Sequence, residues 1–260
     1  MQIEREILAL RGQVKAADEE FHVALAFHEA WKPAAYDQAL HERIGRSYAA
    51  NTFRVIAAAL RREMLLALMR LWDSDPRSVR MRAVGESLQN SEVADELTAD
   101  VARQWDQPID PSTVADFPKE HRAQMLHAIR RSEAGYGREM AEIQRGRIAE
   151  AISLIQKYVD GEGEPTFRRL KRLRNKRLAH REIEARTAAS AGAESATDKE
   201  VEMFYQDMSQ LIRLLKGAVE RTRYNPDETA RIHAENAALF WADVKGERTA
   251  GHPNYRQPRA

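Results

Sequence analysis

The 260-residue chain has no cysteine, which excludes a disulfide framework and thiolate-held zinc and fits a reducing compartment. It also lacks the run of about 18 apolar residues that a membrane-spanning helix needs. The longest candidate, Val55 to Leu71, is broken by Arg61, Arg62, Glu63 and Arg70. Met1-Gln2-Ile3-Glu4-Arg5-Glu6 is charged and amphipathic, unlike the apolar centre of a signal peptide. Together these absences lead to the expectation of a cytoplasmic protein without membrane contact. An excess of one charge is missing too, since 41 Lys and Arg face 40 Asp and Glu. Any basic footprint for nucleic acid must therefore be local. There is no Gly-rich phosphate loop, nucleophile elbow or HExxH pattern, so no cofactor and no resident metal are expected.

What is present is helical. Ala, Leu, Glu, Arg, Met and Gln dominate, and no sustained apolar/polar alternation occurs. Phe21, Leu25 and His28 share a stripe in a first helix expected to stop near Trp31-Lys32-Pro33. A second, from about Asp37 to Trp72 with a break near Asn51, carries Ile56, Leu60, Met64, Leu68 and Leu71 on its apolar side. Asp73-Ser74-Asp75-Pro76 ends it with turn chemistry. Helices are expected over 79–88 and 92–105, and an irregular connection at Pro108, Pro111 and Pro118. A long helix over 119–159 follows, with Gly135 and Gly137 as places for a kink. Gly161-Glu162-Gly163-Glu164-Pro165 stops it and starts the next, from Thr166 to about Ala185. A small, polar stretch at 187–197 reads as a flexible linker. A helix from Asp198 carries Met203, Phe204, Met208, Leu211, Leu215 and Val219, and Asn225-Pro226-Asp227-Glu228 starts the last, through Phe240 and Trp241. The expectation is an all-α bundle of seven to nine helices. Residues 1–50 read as an N-terminal helical extension, 51–245 as the main helical domain and 246–260 as a disordered tail.

The helix beginning at Thr166 holds the densest chemistry. Arg168, Arg169, Lys171, Arg172, Arg174, Lys176, Arg177, His180 and Arg181 fall within fourteen residues. A solvated charged face is the plain explanation of such a run. At about 100° per residue, with Leu170 at 0°, the apolar Phe167, Leu173 and Leu178 centre on about 20°. Arg172 and Lys176 point away, but Arg174, Arg177 and Arg181 fall inside the apolar stripe and His180 borders Leu173. Guanidiniums on a face that should be buried need an internal carboxylate, a bound anion or a partner subunit.

Arg174-Asn175-x4-His180 resembles the Arg-x(4–6)-His signature of HEPN domains, in the form where Asn follows the Arg. Leu68-Met69-Arg70-Leu71-Trp72-Asp73, with Ser78 and Leu88 beyond it, is similar to the AbiU abortive-infection branch. The resemblance covers roughly residues 50–184. It implies an all-helical homodimer that cleaves RNA without metal, with RNA as substrate, a toxin or phage-defence role, and room for an antitoxin. His180 would then act as acid or base, Arg174 would hold the phosphate and stabilise transition-state charge, and Asn175 would bind the phosphate or orient His180. Lys171, Arg177 and Arg181 would bind RNA. Arg174 and His180 lie about 120° apart on one helix, so a composite site across a two-fold axis is expected. HEPN toxins silenced by adenylylation carry Tyr two residues after the His; Glu182 stands there instead, which argues against that control. A non-catalytic module that grips RNA or protein remains the alternative.

Other residues read more plainly. His22 and His28, and His121 and His127, are six apart, so surface positions are expected instead of metal ligation. Asp73 and Asp75 read as turn and cap residues, Trp72 and Trp105 as core, and Arg130 with Arg131 as a short basic spot.

Overall fold

A computed structural model describes residues 2–75, 77–174 and 196–256. Among them nine α-helices occur: α1 (Gln2–Tyr36), α2 (Gln38–Ile44), α3 (Ala49–Arg70), α4 (Met81–Gln89), α5 (Ser91–Arg103), α6 (Lys119–Val159), α7 (Glu164–Leu173), α8 (Asp198–Leu215) and α9 (Pro226–Ala242). A 3₁₀ turn (Pro111–Val114) precedes α6, and a π-helical turn (Lys216–Glu220) extends α8. The fold is all-α, as expected; the described residues contain no strand beyond an isolated bridge between Trp72 and Arg80.

The first helix forms the middle of the bundle. Ile7, Leu10, Val14, Ala17, Phe21 and Leu25 recur at helical spacing and are all buried, on a helix that contacts α3, α8 and α9. This stripe packs with Met64 and Leu68 of α3, Ile148 and Ile155 of α6, and Phe204, Met208 and Leu211 of α8 in one core. The segment read as an extension thus lies at the centre of the packing.

Several boundaries differ from the sequence reading. α1 runs past Pro33 to Tyr36. A proline this near the end removes one backbone donor, while burial of Trp31 and Ala34 on either side holds the turn. The break expected near Asn51 falls at Gly45, whose φ of 53° is left-handed and suits glycine. Ile56, expected on the apolar side of α3, is exposed, as is Met203 on α8. Trp105, expected in the core, is exposed beside Tyr136. α6 passes unbroken through Gly135 and Gly137.

A satellite core joins Ala34, Leu40, Ile44, Ala237 and Trp241. Arg43 donates to the carbonyls of Trp241 and Val244, closing the end of α9. The beginning of the segment expected as a disordered tail returns to this cluster. The Gly246 amide donates to the Arg43 carbonyl at 2.8 Å, and the Glu247 carboxylate accepts from the Tyr48 and Ala49 amides at the start of α3. The expected linker, apart from Ala196 and Thr197, lies outside the described residues.

Candidate active site at the end of α7

The chain reverses between α6 and α7 in four residues. Amides of Gly161 and Gly163 donate back to the carbonyls of Gln156 and Lys157. A methyl group at Gly163 would stand 2.7 Å from Cε1 of Tyr158, so this turn needs glycine for space. Pro165 then sits in the first turn of α7, where its missing donor costs nothing.

α7 is fixed by an aromatic cage on one side and a salt bridge on the other. Phe167 lies 5.1 Å from Trp72 and 6.2 Å from Phe204, and Tyr158 packs on both of those rings. Trp72 also donates to Sδ of Met208. The Tyr158 hydroxyl donates to Asp207, which accepts from Lys157 as well. Burial and then this carboxylate push the phenol far up, so it stays a donor. On the other side Arg169 pairs with Glu200 of α8, and Thr166 donates to the same oxygen at 3.2 Å. Glu200 is also the last member of a capping box with Thr197. The Thr197 amide and then the Arg169 guanidinium hold the Glu200 carboxyl below the usual range, against some burial.

Leu170 is 1% exposed and faces the core, Phe167 and Leu173 are half-buried, and Lys171 and Arg172 are exposed. Arg174 stands in the C-cap position of α7, in helical backbone, and is half-buried, as its place in the apolar stripe predicts. Asn175, Arg177, His180 and Arg181, with the expected continuation of the helix to Ala185, lie outside the described residues. Lys171 and Arg174 are therefore the described members of the site.

The AbiU-like motif upstream is structural. Leu68, Met69 and Leu71 are buried, and Arg70 pairs with Glu20 of α1 at 2.6 Å. Asp73 accepts from the Ser74 amide and Asp75 holds the amide and guanidinium of Arg77, so both are turn residues as read. The motif anchors Trp72 under Phe167, which links it to the position of α7.

The family model HEPN_AbiU2, described as AbiU2, matches residues 7–240. The chain belongs to this family. No curated protein and no solved structure matches it. The AbiU2 match extends beyond the 50–184 resemblance in both directions and takes in most of α1 and of α9, in keeping with the place of α1 in the core. This is a HEPN-superfamily protein of the AbiU abortive-infection branch.

One feature of the AbiU2 chain escaped the sequence. His28, expected at the surface, is 1% exposed. Its Nδ1 lies 2.8 Å from Glu29 and its Nε2 2.8 Å from Glu202 of α8, while its ring stacks on Tyr205 at 3.7 Å. Both contacts are made as hydrogen bonds when each ring nitrogen carries a proton. Burial opposes ionisation of Glu29 and Glu202, yet the hydrogen bond and charge of His28 outweigh it and lower both carboxyls. The i, i+4, i+7 stripe with Phe21 and Leu25 was the available signal, because it places His28 on the buried face. Among the described residues no group of three or more His, Asp or Glu is arranged to hold a metal ion, and no helix is long and apolar enough to cross a membrane.

Proposed function

We propose that this AbiU2-family protein is a metal-independent endoribonuclease that acts as a homodimer in abortive infection, as a toxin or phage-defence enzyme. The observation that carries the reading is the half-buried Arg174 at the end of an anchored helix, in a HEPN-family chain where Asn175 and His180 follow at the signature spacing. Cleavage needs a base for the 2′-hydroxyl, an acid for the departing 5′-oxygen and positive charge on the phosphorane. His180 supplies acid or base, Arg174 grips the phosphate with its fork of donors, and Asn175 binds the phosphate or orients His180. The product carries a 2′,3′-cyclic phosphate. Lys171, Arg177 and Arg181 bind the RNA backbone, and two copies across a two-fold axis complete the site.

Purified protein incubated with total RNA in EDTA tests this. Cleavage that vanishes in His180→Ala, with the oligomer and fold retained, supports the assignment. RNA bound but uncut by the wild type would favour the alternative, a HEPN-like module that grips RNA or a protein.

A further inference from the structure

α8 carries two buried residues with hydroxyl groups one turn apart. Tyr205 is 4% and Ser209 8% exposed, and neither side chain makes a hydrogen bond to any described residue. Both line a cleft of about 270 Å³ between α1, α8 and α9. Tyr205 is held there by its ring, stacked on His28 and packed 5.7 Å from Phe21. Burial, followed by the carboxylates of Glu29 and Glu202, pushes its phenol upward, so the hydroxyl stays protonated.

The walls carry charges of both signs. α1 contributes Glu29 and Lys32, an ion pair at 3.4 Å, and α9 contributes Asp227 and Arg231, the latter 3.3 Å from Glu235 on the same helix. Glu29 is the most deeply buried of these four and is held ionised by His28. Asp227 makes no side-chain ion pair with a described residue, and its charge reaches Tyr205.

A diamine would satisfy the two carboxylates and face two cations. A simple anion would do the reverse. A small molecule with an ammonium and a carboxylate matches the mixed charge of the walls and gives Asp227 a cation, and the unpaired hydroxyls can bond either end. The volume suits a ligand smaller than most drugs, below the usual range of about 300–1,000 Å³. We propose that this cleft binds a free α-amino acid, with its ammonium at Glu29 and Asp227 and its carboxylate at Lys32 and Arg231. Tyr205 and Ser209 supply the neutral hydrogen bonds that rank one orientation above the other.

The test uses the full chain. Each of the common L-amino acids, with putrescine and acetate as probes of one sign of charge, is screened by thermal shift at about 10 mM, a concentration that would report a millimolar Kd. Hits are titrated by calorimetry. At least one amino acid should bind, more tightly than putrescine or acetate. Tyr205→Phe, which keeps the stacked ring, and Asp227→Asn should each weaken binding about tenfold or more, with circular dichroism unchanged. The proposal is overturned if no amino acid binds, if putrescine or acetate binds as tightly as the best amino acid, or if both variants bind like the wild type.

Discussion

Arg169 of α7 and Glu200 of α8 form an ion pair in which the carboxylate is also the closing member of the α8 capping box. One side chain thus starts one helix and positions another. Glu200→Ala keeps the Thr197 side-chain cap but loses the return bond from the Thr197 amide; it should destabilise the protein by about 0.5–1.5 kcal/mol and should also loosen α7. Arg169→Ala leaves the box intact, and a partly exposed pair contributes about 0.2–1 kcal/mol. Thermal unfolding of both variants checks the order. Equal losses would mean that the cap contributes nothing separate.

Gly163 sits against a ring that cannot turn aside. Tyr158 is held by its hydroxyl on Asp207 and by the rings of Trp72 and Phe204. Gly163→Ala brings a methyl group into that ring, and overpacking of this kind costs about 1–3 kcal/mol. The backbone at Gly163 has φ of −82°, ordinary for any residue, so the cost is steric alone. Tyr158→Leu, which empties part of the space, should recover some of it in the double variant. A melting temperature unmoved by Gly163→Ala would sink the steric account.

The carboxyls of Glu29 and Glu202 are both lowered from an ordinary value of 4.5. A lowered folded-state value adds stability that is present above the unfolded value and is lost as pH falls through the folded one. Wild-type stability should therefore decline as the medium is acidified below about pH 4.5. His28→Gln removes the ring that lowers both groups, first through its hydrogen bonds. The variant should be less stable at pH 7 and should lose less on acidification, as measured by urea unfolding across pH. Parallel profiles for the two proteins would refute the link.

The tail has a checkable role at the other end of the bundle. Glu247 accepts from the Tyr48 and Ala49 amides, and Glu247→Ala should speed hydrogen exchange at both while leaving the α1 core protected. Unchanged exchange at Tyr48 and Ala49 would show that the contact does not persist in solution.

How far the sequence reads depends on what decides each feature. Helical periodicity and turn residues are local, so α6 was legible from Lys119 to Val159, and so were the starts of α8 and α9 at Thr197-Asp198 and Asn225-Pro226. Arg174 was legible as half-buried because a helical wheel needs only neighbours within the same helix. Burial of whole faces is decided by partners distant in the chain. Ile56 and Met203 lie on helices whose apolar periodicity is real, but no described helix covers those positions. His28 was misread because its two carboxylates, one adjacent and one 174 positions away, meet only in the fold. α1 looked peripheral because it stands first in the chain, whereas contacts with α3, α8 and α9 put it in the middle.

Arg174 separates catalysis from architecture. If its guanidinium serves a phosphate, Arg174→Glu should leave the melting temperature close to wild type and reduce RNA cleavage by about 100- to 1,000-fold, the usual loss for one transition-state donor. Arg174→Lys should also be impaired, because a point charge lacks the two-pronged geometry that grips a phosphate. If the guanidinium instead balances an internal carboxylate, the reversal puts two negative charges together in a half-buried place. The variant would then unfold before any question of activity arises. Calorimetry on Arg174→Glu decides between the two, and it needs no knowledge of the RNA. A folded, inactive variant would assign Arg174 to the reaction; an unfolded one, with Arg174→Lys folded and fully active, would assign it to the bundle.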